Sequence, residues 1–564
     1  MSRYFLKLVF FILVSSYQLG GQTFYPQNEF IPPLDIPLKL SGTFGELRSN
    51  HFHSGIDLKT GEKEGLNVYA IGDGYVSRIK IQSGGYGKAL YITHPNGYVS
   101  VYAHLNRYSD KIGSYVLEKQ YELESYTLDL YPGNDELIIE QGQVIGYSGN
   151  SGRSGGPHLH FEIRDEATQK PLNPLFFGYK VSDFQAPLIN VMKIYPFSPE
   201  TVINGTTRPV DYYPASNKEK YVLSGNEKII VGGPFYTGIN TVDLFNGGIN
   251  RNGVFSITLL VDSNVVYEHK LESFSFYETR YINSLIDYAE YKQKRRQVQK
   301  TLVQPNNKLS IYGDVLNRGI LSFKEGSSHV LTYVVSDFAG NESTLSFTVI
   351  GGKPLETIVS DQQGVLFDYN TSNTFANNSL TLKIPEGALY DTLLFNYKKL
   401  DGPDEAFSSI HRLHNEYTPL HSWCSLSVRA DSLPFDLQNK ALLARINNKG
   451  ELESEGGYYK DGSVHTQVRS FGDYCIVADT VAPDIIPLNI ENNKSLLAQQ
   501  TIKIKIKDDL SGIDSYRPAL NGKWILMEYD EKNDLLTYFI DKHIKDGENL
   551  FEITVSDKKE NTSV

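Results

Sequence analysis

Apolar and polar residues alternate in short runs along most of this chain, and the runs are broken by Gly, Pro and Asn turns. Ala89–His94 and Tyr98–Leu105 alternate on either side of Pro95-Asn96-Gly97, a pattern that predicts a β-hairpin. Strand alternation there puts Val99, Val101 and Ala103 on one face and Tyr98, Tyr102 and His104 on the other. By the same period, Leu159, Phe161 and Ile163 enter a core while His158 and His160 share the opposite face. The segment Ile31-Pro32-Pro33-Leu34-Asp35-Ile36-Pro37 reads as extended, because X-Pro steps disfavour helix. One stretch breaks the pattern: Ser284–Thr301 predicts a helix carrying Lys292, Lys294, Arg295, Arg296 and Lys300. A solvated helix face is the expectation for these charges, with contact to an anionic envelope polymer as the alternative.

The runs group into blocks. Arg3 and Lys7 precede the apolar run Leu8–Val14, which is too short to cross ~30 Å of hydrocarbon but suits the core of a secretory signal. Residues 1–22 are therefore expected to be a signal peptide, followed by a Pro-rich lead over 23–41 and a strand-and-glycine block over 42–178. Beyond it lies an internal repeat. Asp183-Phe184-Gln185-Ala186-Pro187 is echoed by Asp479-Thr480-Val481-Ala482-Pro483, and Val335-Ser336-Asp337 with Asn341 by Val555-Ser556-Asp557 with Asn561. Residues 184–352 and 480–564 thus read as two copies of one β-sandwich resembling bacterial immunoglobulin-like domains, the second lacking its final strand. Residues 353–478 read as a further β-sandwich.

Composition narrows the class. At ~100–200 residues per domain, 564 residues imply several domains. The 38 tyrosines against 3 methionines suit β-rich cores better than a helical bundle. With 54 Lys+Arg against 66 Asp+Glu, the net charge of −12 argues against nucleic acid as a partner. Outside the leader no stretch is apolar enough to span a membrane, so the mature chain is expected to be exported, to the periplasm, the envelope or beyond. Two cysteines exclude a disulfide framework; Cys424 and Cys475 are expected either to bridge two strands or to stay as buried thiols.

The candidate chemistry is in histidine. Six of the 13 histidines precede residue 161. Four of them fall in His53-Ser54-Gly55-Ile56-Asp57, Tyr102-Ala103-His104-Leu105 and Gly156-Pro157-His158-Leu159-His160-Phe161-Glu162. Two imidazoles on one strand face with a His/Asp pair from another turn can supply three zinc ligands and leave a fourth position for water. Such a site suits amide hydrolysis. His51 is expected in an exposed loop, His94 as structural, and His411, His414 and His421 at the surface. Gly152-Arg153-Ser154-Gly155-Gly156 fits the G-x-S-x-G pattern, but a proline and a strand follow it where a nucleophile elbow needs a helix.

Together the motifs H-x-x-x-D, Y-A-H-L and G-P-H-L-H-F-E resemble the lysostaphin-type (LytM-like) zinc metallopeptidases, over about residues 42–178. The resemblance implies a small antiparallel β-sheet domain with Zn2+ bound by His53, Asp57 and His160. His104 and His158 would be the unliganded catalytic pair acting on water and oxyanion. The fold expected is mostly β, this peptidase domain followed by several β-sandwich, immunoglobulin-like modules. The implied substrate is the peptide cross-links of peptidoglycan, and the modules are candidate surfaces for envelope protein partners. The alternative is a non-catalytic envelope scaffold or an activator of other cell-wall hydrolases. One departure is the long stretch around Ile112–Ile139, expected either to wall the groove or to stand as a solvated hairpin.

Overall fold

The computed structural model describes residues 25–223, 228–247, 249–356 and 363–564, so the expected signal peptide lies outside the described residues. The first block is built on one large sheet, beside smaller two- and three-stranded sheets, and the main path of the large one runs through β1 (Leu40–Gly42), β2 (Ile56–Lys59), β3 (Gly74–Ile81), β4 (Lys88–Thr93), β5 (Tyr98–Ala103), β6 (Leu128–Leu130) and β7 (His158–Asp165). Its spatial order is β1-β2-β7-β5-β4-β3-β6, and each of these pairings is antiparallel. The predicted hairpin is β4–β5, and every residue of β4 is buried, as a strand flanked on both sides by β3 and β5 requires. One face of the sheet packs Leu90, Ile92, Tyr102, Leu159, Phe161 and Ile163 into the core. The other face carries Ala89, Tyr91, Val99, Val101 and Ala103.

The stretch 112–139 is not a hairpin, and although many of its residues are exposed it is anchored in the core. Asp110–Glu122 is a helix, α1, with Ile112, Val116 and Gln120 buried at a four-residue spacing. β6 and the short strand Ile138–Ile139 then pair with opposite ends of β3. Tyr126, Leu128 and Leu137 join the core, so the stretch completes the sheet.

Three further blocks follow, each with its own apolar core. In the first, the predicted helix 284–301 is two short helices, α2 (Ile282–Leu285) and α3 (Tyr288–Lys294), ahead of a strand, Gln299–Lys300, that pairs with Phe235–Val242. Lys294 and Arg295 are exposed, as expected, but three of the basic residues are paired. Arg296 pairs with Asp211 and Glu290, Lys294 with Glu290 and Lys292 with Glu416. In the second, two five-stranded sheets enclose one core. Cys424 and Cys475 are buried and free, and burial pushes their thiols up to about 12 and about 11. His411, expected at the surface, is buried with its Nδ1 3.0 Å from the Tyr397 hydroxyl, and His421 stacks on Tyr281 at 4.0 Å. In the last block, Thr562–Ser563 pairs with Phe551–Asp557 where the first copy carries the longer strand Glu342–Gly351.

The repeat is visible in atoms. The Asn341 amide donates to Asp337 Oδ2 at 2.8 Å and to the Asp183 carbonyl at 3.4 Å. Asn561 does the same to Asp557 Oδ2 at 2.7 Å and to the Asp479 carbonyl at 3.0 Å.

The last block docks on the first. Lys88 Nζ lies 2.8 Å from both carboxylate oxygens of Glu528. Tyr121 of α1 packs edge-on against Trp524 and stacks on His543, and Arg517 pairs with Glu124 at 2.6 Å. Tyr121 and Glu124 lie within the long stretch after His104, which thus provides much of the docking surface.

Candidate metal centre

The register of β2 against β7 sets Asp57 directly opposite His160. His53 arrives from the turn before β2, where a Cβ on Gly55 would fall 2.3 Å from the Phe161 carbonyl oxygen, so only glycine lets the two strands close. His53 Nε2, His160 Nδ1 and Asp57 Oδ1 lie 3.0 Å from one another in all three pairings. The second nitrogen of each ring is already committed. His53 Nδ1–H donates to the Thr43 carbonyl at 2.7 Å, and His160 Nε2–H donates to Glu162 Oε1 at 2.8 Å. Arg48 donates to the other Asp57 oxygen at 3.0 Å. Two imidazole nitrogens and one carboxylate oxygen are left converging. Their spacing is close to the ~3.3 Å edge of a tetrahedron with ~2.0–2.1 Å bonds, and this N/N/O set suits zinc.

His104 and His158 stand beside these three. Strict alternation would send His104 into the core behind Tyr102. Instead β5 ends at Ala103, and His104 adopts the left-handed φ of 59°, which returns its ring to the face of His160. Its backbone N–H donates to the Tyr86 carbonyl at 3.0 Å and its Nδ1–H to the Ser151 carbonyl at 2.8 Å, leaving Nε2 free. His158 Nδ1–H donates to the Gly156 carbonyl at 2.8 Å, while Nε2 lies 3.4 Å from Asp57 Oδ1. The His104 and His158 rings are 4.9 Å apart. All five residues singled out by the sequence therefore meet in one cluster.

Charge follows the geometry. Burial works to raise the Asp57 carboxyl, but the His53 charge and hydrogen bonds from His158, His160 and His53 hold it well below the usual range. Burial, then the neighbouring His160 and His158, push His104 down to about 3, so it stays neutral. Burial works against charge on His160, yet hydrogen bonds to Asp57 and Glu162 win and push it up to about 9. A dication reverses that preference, since ligation needs the neutral ring.

The sequence reading gave Glu162 no role. Glu162 is fully buried, accepts from Ser54 Oγ at 2.6 Å and from the Tyr86 hydroxyl, and pairs with Arg164 at 2.6 Å. Glu162 and Arg164 continue the alternation of His158 and His160 along β7, so period two was a usable signal; nothing marked Tyr86 or Arg48. Of the other early histidines, His51 is exposed at the start of a two-residue strand, and His94 is buried between the Asp73 carbonyl and Ser100 Oγ.

One rim of the cluster is the loop 149–156, whose Ser154 Oγ lies 3.2 Å from His158 Nδ1. The turn Glu531–Asn533 of the last block sits against this loop. Lys532 Nζ donates to the Asn150 carbonyl, and Arg153 pairs with Glu531 at 3.3 Å.

Residues 51–121 and 133–174 match Peptidase family M23, with the gap inside the long stretch after His104, and residues 364–479 match a Zu5-like domain. Over 150 residues the chain is 33% identical to the DD-carboxypeptidase/endopeptidase Mpg of Neisseria meningitidis, covering 26% of this chain and 28% of that one. Over 127 residues it is 31% identical to the peptidoglycan DD-endopeptidase ShyC of Vibrio cholerae, covering 22% and 23%. The chain thus spans about a quarter of the length of these curated relatives. Among solved structures, the catalytic domain of lysostaphin from Staphylococcus simulans aligns at 21% identity over 24% of this chain and 86% of that one, with a TM-score of 0.18. The chain carries a LytM-like M23 peptidase domain ahead of its further β-domains.

Proposed function

We propose that this chain is an exported zinc metalloendopeptidase that hydrolyses peptide cross-links of peptidoglycan. The observation that carries the reading is the freeing of three ligand atoms, His53 Nε2, Asp57 Oδ1 and His160 Nδ1, by partners that occupy every competing atom. Two unligated imidazoles stand beside them. The relatives' names, a DD-carboxypeptidase/endopeptidase and a peptidoglycan DD-endopeptidase, point to the same substrate class. Arg3, Lys7 and the apolar run Leu8–Val14 support export.

His53, Asp57 and His160 would hold the zinc, which would supply Lewis-acid chemistry and make water more acidic. The chain does the rest. His104, held neutral and with Nδ1–H tied to Ser151, offers Nε2 as a proton acceptor in the pocket. His158, tied through Nδ1–H to Gly156, turns Nε2 to the same pocket, where a proton on it would face a developing oxyanion. Glu162 holds the His160 ring in the tautomer that leaves Nδ1 free. Beneath the cluster, Ala103 of β5 lies directly opposite His160 and packs with Val101 in a small buried apolar group.

The test is digestion of purified peptidoglycan by the zinc-loaded chain, read by mass spectrometry of released fragments. New amine and carboxyl ends at peptide cross-links are expected, and chelation should abolish them. A chain that binds zinc and wall fragments without releasing peptide would instead be the envelope scaffold or activator.

A further inference from the structure

A second cluster of ligating side chains lies away from the histidines, where the peptidase domain meets the block that follows it. Asp183 comes from the connecting segment, Asp243 from the end of the strand Phe235–Val242, and Asp337 from the turn after Ser328–Ser336. One carboxylate oxygen of each lies within 4.8 Å of the others, and all three side chains are buried. Three carboxylates this close are unfavourable without a counter-charge. Among the described residues no lysine, arginine or histidine forms an ion pair with any of them.

The unmet demand has specific atoms. Asp183 Oδ2 and Asp243 Oδ1 have no hydrogen-bond partner, although Asp243 is only 1% exposed. A third orphan is not acidic. Asn252, 2% exposed, also has an unpartnered Oδ1. Asp243 and Asn252 exchange backbone N–H···O bonds of 2.9 Å in both directions, so as directly opposed residues they send their side chains to the same face. Three buried oxygens thus lack any donor, and a buried acceptor normally has one. A cavity of 240 Å³ lined by Asp183, Asp243, Thr43 and Asn173 gives access from the junction.

The repeated copy provides a contrast. Asp479, Asp508 and Asp557 form the equivalent triad. There, backbone N–H groups of Val481 and Ser511 satisfy both Asp479 oxygens, those of Leu510 and Gly512 bond Asp508, and those of Lys559 and Asn561 bond Asp557. The buried Lys559 also feels the charges of Asp479 and Asp557. Counted from the shared aspartate, the first copy has Ala339 where the second has Lys559. The Lys559 ammonium itself donates to the Ala441 and Gly457 carbonyls, so what the first triad lacks is a lysine close by.

We propose that Asp183, Asp243, Asp337 and Asn252 bind a calcium ion at the end of the sandwich that faces the peptidase domain. The donors are all oxygen, which selects hard cations and disfavours zinc. A site assembled from three separate segments suits the flexible geometry of calcium better than the strict octahedron of magnesium. Affinity in the range of about 10⁻⁴–10⁻³ M, usual for extracellular modules, is expected.

The test is calorimetric titration of the zinc-loaded chain with calcium, so that the histidine cluster is already filled. One calcium per chain is expected in the parent and in Asp508→Asn, and none in Asp243→Asn. Calcium should raise the thermal midpoint of the parent and leave that of Asp243→Asn unmoved. Without calcium and above pH 8, Asp243→Asn should melt above the parent, because burial and then the neighbouring Asp183 and Asp337 push this carboxyl up to about 8 and its charge beyond that is unpaired. Should that variant fail to fold, Asp183→Asn carries the same expectation of no binding. No binding by the parent at millimolar calcium, or parental stoichiometry in the folded variant, overturns the proposal. So does a loss confined to Asp508→Asn.

Discussion

Glu162→Gln tests whether the metal site depends on its buried support. The substitution keeps shape and removes charge. Glu162 Oε1 accepts from His160, Ser54 and Tyr86, while Oε2 faces Arg164 Nε and Nη2, both at 2.6 Å. A glutamine carbonyl placed toward the three donors points its NH2 at the guanidinium, donor against donor. Arg164, 6% exposed, then becomes an unpaired buried charge, at a cost of about 3–5 kcal/mol to folding. The metal loses separately. Without the carboxylate, the His160 ring is a weaker base and less firmly oriented, which typically costs about 10–100-fold in affinity, or roughly 1.4–2.7 kcal/mol. The two effects separate in the double variant Glu162→Gln/Arg164→Met, which removes the stranded charge. Denaturant unfolding of zinc-free protein should show stability largely recovered, while competition against a chelating dye should show zinc binding still weak. Zinc affinity indistinguishable from the parent in a folded Glu162→Gln protein would refute the reasoning.

Other expectations are simpler. His104→Ala and His158→Ala should retain zinc by elemental analysis yet lose turnover about 10²–10⁴-fold; loss of zinc in both would require a redrawn ligand set. Glu528→Gln strips Lys88 of its carboxylate partner and should loosen the docked last block, read as faster proteolytic release of residues 480–564, with cleavage rates like the parent's counting against the interface. His269 is fully buried, and burial holds it down to about 4 from its ordinary 6.5. Its contribution to stability is complete above pH 6.5 and is lost as pH falls toward 4, worth about 3 kcal/mol. Unfolding measured across that window should fall less steeply in His269→Gln.

What could be read from the chain depended on how local its cause was. The β4–β5 hairpin and the inward row Leu159, Phe161, Ile163 follow from alternation alone. The five cluster residues follow from three short motifs and their glycines. His104 shows the limit, since period two puts it on the wrong face and a single left-handed residue corrects it. The stretch Ile112–Ile139 was expected as a groove wall or a solvated hairpin, although Ile112, Val116 and Gln120 keep the helical spacing that α1 shows. The basic segment looked free because its partners, Asp211 and Glu416, lie far away in sequence. The bond between Lys88 and Glu528 spans 440 positions, and no local pattern announces it.

That last contact also sets a sequence in time. During synthesis the N-terminal part of a chain folds first, at about 5–20 residues per second for elongation. The β-sheet that carries His53, Asp57 and His160 is made entirely from residues preceding 180, while the turn Glu531–Asn533 at the cluster's rim is made more than three hundred residues later. The newborn peptidase domain therefore has an open rim until the end of the chain arrives to cover it. A chain stopped anywhere before Trp524 would carry the whole histidine cluster and the loop 149–156 but not the turn Glu531–Asn533 that packs against that loop. Premature termination or C-terminal trimming would then leave the clustered histidines in place and strip the loop 149–156 beside them of its partners Glu531 and Lys532.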